Sequence, residues 1–243
     1  MLYVTFCYAP DASMLRMQAA QIHRLDPQAV IYAVNDPAAP ITGAVEGVRF
    51  HTPAEQWPRG GNLNGLPAIY GQLLTYAALM RKHACDYIVK IDADVWPQCL
   101  AVYTATEPVD GKPVPDYLAP ERWQSFQPTG CIYRLSRWAV KALLQLFNAR
   151  ARAGLWLPHN KYPEDRTIFA MVQALRLPHA LIPYASGHCV GFTEDVRAGH
   201  GPVPTSVLAA RIVHCGEPYA DGTRCTREHA TLRMHLLDPH RLP

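Results

Sequence analysis

Three near-continuous apolar runs constrain this chain more than any other feature. Residues 2–8, 29–34 and 86–91 are rich in β-branched and aromatic side chains, and they are bounded by turn signals such as Ala9-Pro10-Asp11 and Asn35-Asp36-Pro37. None shows the strict alternation of a strand with one wet face, so both faces of each are expected to be covered. A shorter strand is expected within 45–50. Helical segments lie between the runs. One extends from Asp11 or Ser13, either of which can cap it, to about residue 25, with Met14, Met17, Ala20 and Leu25 on its apolar face and Asp26-Pro27 ending it. Another covers about 67–83, with Pro67 in its first turn. Strands alternating with helices predict an α/β fold, a mainly parallel, Rossmann-like sheet with helices on both faces.

The second half continues the pattern less regularly. Short strands are expected at 117–119, 131–135, 181–183 and 211–214, with a hairpin turn at Asp110-Gly111. Ser136 is placed to cap a helix through about residue 153, and another helix is expected over 164–175. Residues 186–204 are rich in Gly, Pro and His and read as a long loop. The stretch after Thr226 reads as an amphipathic helix stopped by Asp238-Pro239. With no internal repeat and no linker, a single domain over 1–218 is expected, with 219–243 as a tail whose helix packs on it.

Composition narrows the function classes. The 243 residues are 49% hydrophobic and 18% charged, which suits a globular chain. The net charge of +3 gives no basic stripe, so no nucleic-acid partner is expected. Seven cysteines, odd in number and scattered, read as reduced thiols in a cytoplasmic protein. Met1-Leu2-Tyr3-Val4 reads directly as a strand, with no basic n-region, and no apolar run approaches the roughly 20 residues that span a bilayer. Membrane contact is expected to be peripheral at most. Arg224, Arg227 and Arg233 read as a solvated helix face, with an acidic partner or membrane surface as the alternative.

Asp92-Ala93-Asp94 closes the apolar run 87–91. Alternate residues of an extended strand point the same way, so both carboxylates can turn toward one spot. Two adjacent carboxylates repel and are costly to desolvate unless a cation lies between them. Their oxygens suit Mg²⁺ or Mn²⁺, hard ions that commonly bind a substrate phosphate as well. The plainer alternative has one Asp capping a helix and the other solvated.

Further motifs follow in order: the turn Thr129-Gly130, the acidic pair in Pro163-Glu164-Asp165, and Val213-His214-Cys215-Gly216. With the Asp pair, over about residues 1–218, they resemble the nucleotide-sugar-dependent glycosyltransferases of the GT-A fold. That family shows a DxD, a Gly-containing loop, an xED and a C-terminal metal-binding His in the same order. The resemblance implies a metal-dependent transferase of the hexosyltransferase type, using a nucleoside diphosphate sugar, UDP being the family's commonest donor. It implies Asp92, Asp94 and His214 as metal ligands, and Asp165 with Glu164 as the catalytic pair. Nucleotide-sugar contacts are implied for Tyr8, Ala9, Asp36, Arg59, Asn62, Asn64, Asp92 and Gly130. A His ligand tips the choice from Mg²⁺ toward Mn²⁺. The acceptor, whether glycan, lipid-linked glycan, protein or small molecule, is not indicated.

Each residue also has a structural reading. His214 can be a hydrogen-bonded core histidine, Glu164 and Asp165 can favour a helix N-terminus, and Gly130 can be an ordinary turn. The spacer between Asp94 and Gly130 is long and Pro-rich. His214-Cys215-Gly216-Glu217-Pro218 loosely matches the close of some retaining members, yet it lacks their lysine and their spacing. The xED leans toward inversion. A sugar-1-phosphate nucleotidyltransferase shares such a sheet, but it usually carries a Gly-rich basic loop where this chain has Tyr8-Ala9-Pro10-Asp11-Ala12-Ser13. A non-catalytic nucleotide-sugar-binding protein is the other alternative. Structural zinc at His214, Cys215, Cys225 and His229 is disfavoured by the lack of a tight Cys-x-x-Cys knuckle.

Overall fold

The computed structural model describes residues 1–53, 66–107, 113–122, 127–153, 164–193 and 203–238. Arg59, Asn62, Asn64 and the Asp110-Gly111 turn lie outside the described residues. The first half alternates as expected: β1 (Leu2–Cys7), α1 (Ala12–Leu25), β2 (Val30–Asn35), β3 (Val48–His51), α2 (Leu66–Lys82) and β4 (Tyr87–Ile91). Then come β5 (Val95–Pro97), α3 (Ala101–Thr104), β6 (Tyr117–Pro120), β7 (Ile132–Ser136), α4 (Arg137–Arg152) and α5 (Glu164–Ala174). The chain continues through β8 (His179–Ile182), β9 (Cys189–Gly191), α6 (Thr205–Ala209), β10 (Ile212–His214) and α7 (Arg227–Leu237).

Seven strands form one sheet in the order β3-β2-β1-β4-β7-β6-β8. Among them β7 alone runs against the rest, pairing antiparallel with both β4 and β6. The sheet is therefore mainly parallel, an α/β architecture of the expected kind. A second sheet, β5-β10-β9, stands beside it.

Strand periodicity sorts the core. Leu2, Val4 and Ile88 face Leu73, Tyr76, Leu143 and other residues of the cluster shared by α2, α4 and α5. Tyr3, Ile31, Val89 and Ile91 share the opposite cluster with Leu15, Ala19 and Ile22 of α1. Each central strand is thus buried on both sides, which is why its sequence lacks alternation. A third cluster joins Met14 and Met17 of α1 to Trp96, Val213 and Met234, seating α7 against α1. Among the described residues no helix is long and apolar enough to cross a membrane.

The structure corrects several local expectations. Asp11 ends a 3₁₀ turn (Ala9–Asp11) and does not cap α1 with its side chain. Its carboxylate instead accepts the Tyr8 backbone N–H at 3.2 Å. The buried face of α1 is rotated from the expected one: Ala20 and Leu25 are exposed, while Leu15, Ala19 and Ile22 are buried. The segment expected as a loop over 186–204 contains β9, and β5 and α3 are additional short elements. Arg233 lies not on a solvated face but in the interior, at 0% exposure.

Ser136 does cap α4. Its hydroxyl accepts the Ala139 backbone N–H at 3.0 Å and donates to the Asp116 carboxylate. Ser136→Ala should cost about 1–2 kcal/mol in denaturant unfolding, at the upper end for a cap because the Asp116 bond is lost as well.

Candidate active site

The site grows from the turn that follows β4. The Asp92 backbone N–H donates to the Cys131 carbonyl at 2.8 Å. The Asp92 carbonyl accepts the Val95 N–H at 3.1 Å, closing the turn. From α1, the buried Gln18 amide donates to the carbonyls of Asp92 and Val95 at 2.6 and 2.7 Å. The turn is thereby clamped from both sides. β10 pairs antiparallel with β5, His214 opposite Val95, and the Cys215 N–H donates to the Asp94 carbonyl at 2.8 Å. This register brings His214 beside Asp94 although the two are remote in sequence.

Asp94 Oδ1 lies 3.5 Å from His214 Nε2, beyond a normal hydrogen bond. Two ligands sharing one ion at about 2.1 Å would stand at a similar separation. His214 Nδ1 is 3.0 Å from Glu217 Oε1 and carries the proton there, because a carboxylate only accepts. That contact turns Nε2 toward Asp94, the orienting role carboxylates play behind metal-binding histidines. Burial pushes the Asp94 carboxyl up, but the charges of His214 and Arg227 outweigh it and bring it down to about 2. Burial pushes His214 down, while Asp94 and Glu217 raise it well above its ordinary value. Gly216 leaves room for the acid, since a Cβ there would collide with Asp94 Oδ2.

Arg227, at the start of α7, is the group that sequence reasoning missed. Its guanidinium lies 3.3 Å from Asp94 Oδ2 and 3.2 Å from Asp11 Oδ1, and its Nε–H donates to the Tyr8 hydroxyl at 3.3 Å. The cation also sits 5.3 Å from the centre of the Tyr8 ring. A cavity of about 550 Å³ opens here, lined by Tyr8, Asp94, Gly216, Arg224, Thr226 and Arg227. Arg233 donates to the carbonyls of Cys215 and Glu217 at 2.9 and 2.7 Å, holding the loop that carries the histidine's carboxylate.

Asp92 takes a different partner. Buried Lys90 lies 2.7 Å from Asp92 Oδ1 and donates to the Gly130 carbonyl at 2.5 Å. Gly130 in turn packs on Asp165, whose Cβ would stand 3.1 Å from a Cβ added at the glycine. Asp165 is buried at the start of α5, and its Oδ1 accepts the Arg166 N–H at 2.9 Å. Glu164 precedes it on α5, with its side chain outside the described set. Ala9 donates its N–H to the Ala39 carbonyl at 2.7 Å, and Asp36 accepts the Ala38 N–H at 3.0 Å, which shapes the loops at the ends of β1 and β2.

The structure therefore brings Tyr8, Asp94 and Arg227 into one pocket wall, sets His214 beside Asp94, and links Asp92 through Lys90 to Gly130 and Asp165. Among the described residues no three His, Cys, Asp or Glu side chains converge on one ion, for zinc or otherwise. The pair whose chemistry and spacing fit a divalent cation is Asp94 with His214.

Two outcomes follow. Gly216→Ala should displace the Asp94 carboxylate and cost about 1–3 kcal/mol in denaturant unfolding, as overpacking does. In metal-free protein with chelator present, Asp94 contributes stability above the ordinary carboxylate range, and this is lost as pH falls toward its depressed value. The unfolding difference between wild type and Asp94→Asn should accordingly shrink between about pH 4 and pH 2.

No protein-family model matches the chain, and no curated protein matches its sequence significantly. Solved structures do match. A glycosyltransferase involved in glycosylation of the major capsid of PBCV-1 aligns over 97% of this chain and 98% of its own, with a TM-score of 0.55 and 13% identity. An active-site mutant of LgtC aligns over 96% of this chain and 94% of its own, with a TM-score of 0.55 and 14% identity. The galactosyltransferase LgtC in complex with donor and acceptor sugar analogs aligns over 96% and 95%, with a TM-score of 0.51 and 14% identity. The chain has the GT-A fold of these glycosyltransferases.

Proposed function

We propose that the chain is a metal-dependent glycosyltransferase that moves a sugar from a UDP-linked donor to an acceptor hydroxyl. One observation carries this reading. The half-buried Asp94–His214 pair stands at the edge of a cavity to whose lining Asp94, Arg224 and Arg227 contribute. The pair offers two ligands to a hard cation and the cavity wall two guanidinium groups to phosphate oxygens, the complement of a metal–diphosphate. The LgtC complex with donor and acceptor sugar analogs on the same fold supports the assignment.

Asp94 and His214 would hold Mn²⁺ or Mg²⁺, and the imidazole favours Mn²⁺. The ion supplies Lewis-acid neutralisation of the charge left on the departing diphosphate. Arg227, already balanced against two carboxylates, adds a charge-assisted donor for a phosphate oxygen. The loops after β1 and β2, with Tyr8, Ala9 and Asp36, take the base and ribose, because ligands of such sheets bind beyond the carboxyl ends of the strands. Arg59, Asn62 and Asn64 are proposed to contact the base or diphosphate of the donor. Asp165, with Glu164 beside it, is proposed to receive the acceptor's proton, and Gly130 to give the sugar close backbone approach.

The test is release of free nucleoside diphosphate from a panel of nucleotide sugars with Mn²⁺, with and without chelator. Chelation should abolish release, and Asp94→Asn should lower it by at least about 100-fold. Arg227→Ala should weaken UDP binding by about tenfold or more in calorimetry. Turnover and nucleotide affinity unchanged in Asp94→Asn would refute the assignment, and release of pyrophosphate from a nucleoside triphosphate and a sugar 1-phosphate, with no nucleoside diphosphate released from the nucleotide sugars, would mark a nucleotidyltransferase.

A further inference from the structure

We propose that Lys90 withholds the Asp92 carboxylate from the metal, leaving Asp94 and His214 as the ion's ligands from the described residues until a phosphate oxygen joins them. The inference rests on the metal-binding reading above and adds a positioning residue that neither the motifs nor the fold assigns.

Lys90 occupies the centre of the sheet, between Val89 and Ile91, both at 0% exposure. A lysine is costly there unless its charge is compensated. Its side chain is 5% exposed, and the ammonium is directed at Asp92 Oδ1 and the Gly130 carbonyl, 5.5 Å from the centre of the Tyr133 ring. An ammonium has donors and no acceptor, so it engages carboxylate electron density that a metal would otherwise use. Asp92 is thus in a short ion pair, whereas Asp94 stands from its imidazole at a separation suited to an intervening ion. Each acid of the motif thus has one oxygen on a fixed cation, Asp92 Oδ1 on Lys90 and Asp94 Oδ2 on Arg227, and it is Asp94 Oδ1 that faces the imidazole across the space an exchangeable ion suits.

Two protein ligands hold a hard divalent cation weakly, since such ions seek six or more oxygens and take substrate phosphates to reach that number. Ion and diphosphate therefore bind with positive, reciprocal coupling. The same ammonium holds the Gly130 carbonyl, and Gly130 packs on Asp165. Lys90 consequently couples the position of Asp92 to that of the carboxylate proposed to act on the acceptor.

The experiment is Mn²⁺ titration followed by the electron paramagnetic resonance of free Mn²⁺, without nucleotide and then with UDP. In wild type, UDP should tighten Mn²⁺ binding at least about tenfold. Lys90→Met should tighten nucleotide-free Mn²⁺ binding by about tenfold, because it removes a nearby positive charge and releases Asp92. Lys90→Arg should stay near wild type. Lys90→Met with Asp92→Asn exchanges the ion pair for a neutral pair of similar shape, and its Mn²⁺ affinity should lie within about twofold of wild type. Should Lys90→Met fail to fold, this neutral pair still decides. The proposal is overturned if Lys90→Met leaves Mn²⁺ affinity equal or weaker, or if the neutral pair loses about tenfold or more, which makes Asp92 itself a ligand. Wild type that binds no Mn²⁺ even with UDP overturns the metal reading as a whole. Mn²⁺ binding that Asp94→Asn abolishes and Lys90→Met does not tighten overturns the role of Lys90 alone.

Discussion

A half-buried negative charge on Asp94 organises the molecule around it. Its side chain is 14% exposed at the end of the central strand, where an unpaired carboxylate would be expelled or protonated. Two cationic partners answer it from distant parts of the chain, His214 from β10 and Arg227 from α7. Supporting groups follow from that demand. Glu217 orients the imidazole, Gly216 yields the space, and Arg233 ties down the carbonyls of the intervening loop. The small sheet and the C-terminal helix are thus bound to the main sheet through one acid as well as through their apolar cluster.

The main sheet was legible because its signal is local. β1, β2 and β4 are buried on both faces, and a run of apolar residues records that directly. β5 and β9 were not legible, since three-residue strands take their identity from β10, far away in sequence. Asp11 satisfies the spacing rule for a cap, yet the 3₁₀ turn hands its carboxylate to Tyr8 and Arg227. Nothing in the sequence singled out Lys90, because its partners, Asp92 and the Gly130 carbonyl, come from two turns that only the fold brings together. Arg227 and Arg233 were assigned to solvent for a similar reason: nothing within a few residues announces the carboxylates and carbonyls that surround them. Asp165 and His214 were singled out by the order of motifs, which encodes topology, and not by any local pattern.

The structural matches share 13–14% identity with this chain while extending over nearly all of it. Such divergence is tolerable because the fold needs apolar strands of the right length, whereas the chemistry needs only a few residues at strand ends. The departures in this chain fall at that edge. The segment after His214 lacks the lysine seen in some retaining members, and the cavity instead receives its positive charge from Arg224 and Arg227. Cationic character at the pocket comes from Arg227 at the start of α7 and from Arg224 in the segment just before it.

The pairing of β5 with β10 has a temporal consequence. It joins residues 95–97 to residues 212–214, so one strand of the small sheet is synthesised well before its partner. A nascent chain can assemble the strands up to β8 while Asp94 still has neither its imidazole nor its guanidinium. Until residues 212–214 and 227 emerge, that acid must stay hydrated, and the edge of β5 must wait without its hydrogen-bonding neighbour. Closure of the small sheet therefore covers the edge and the charge together.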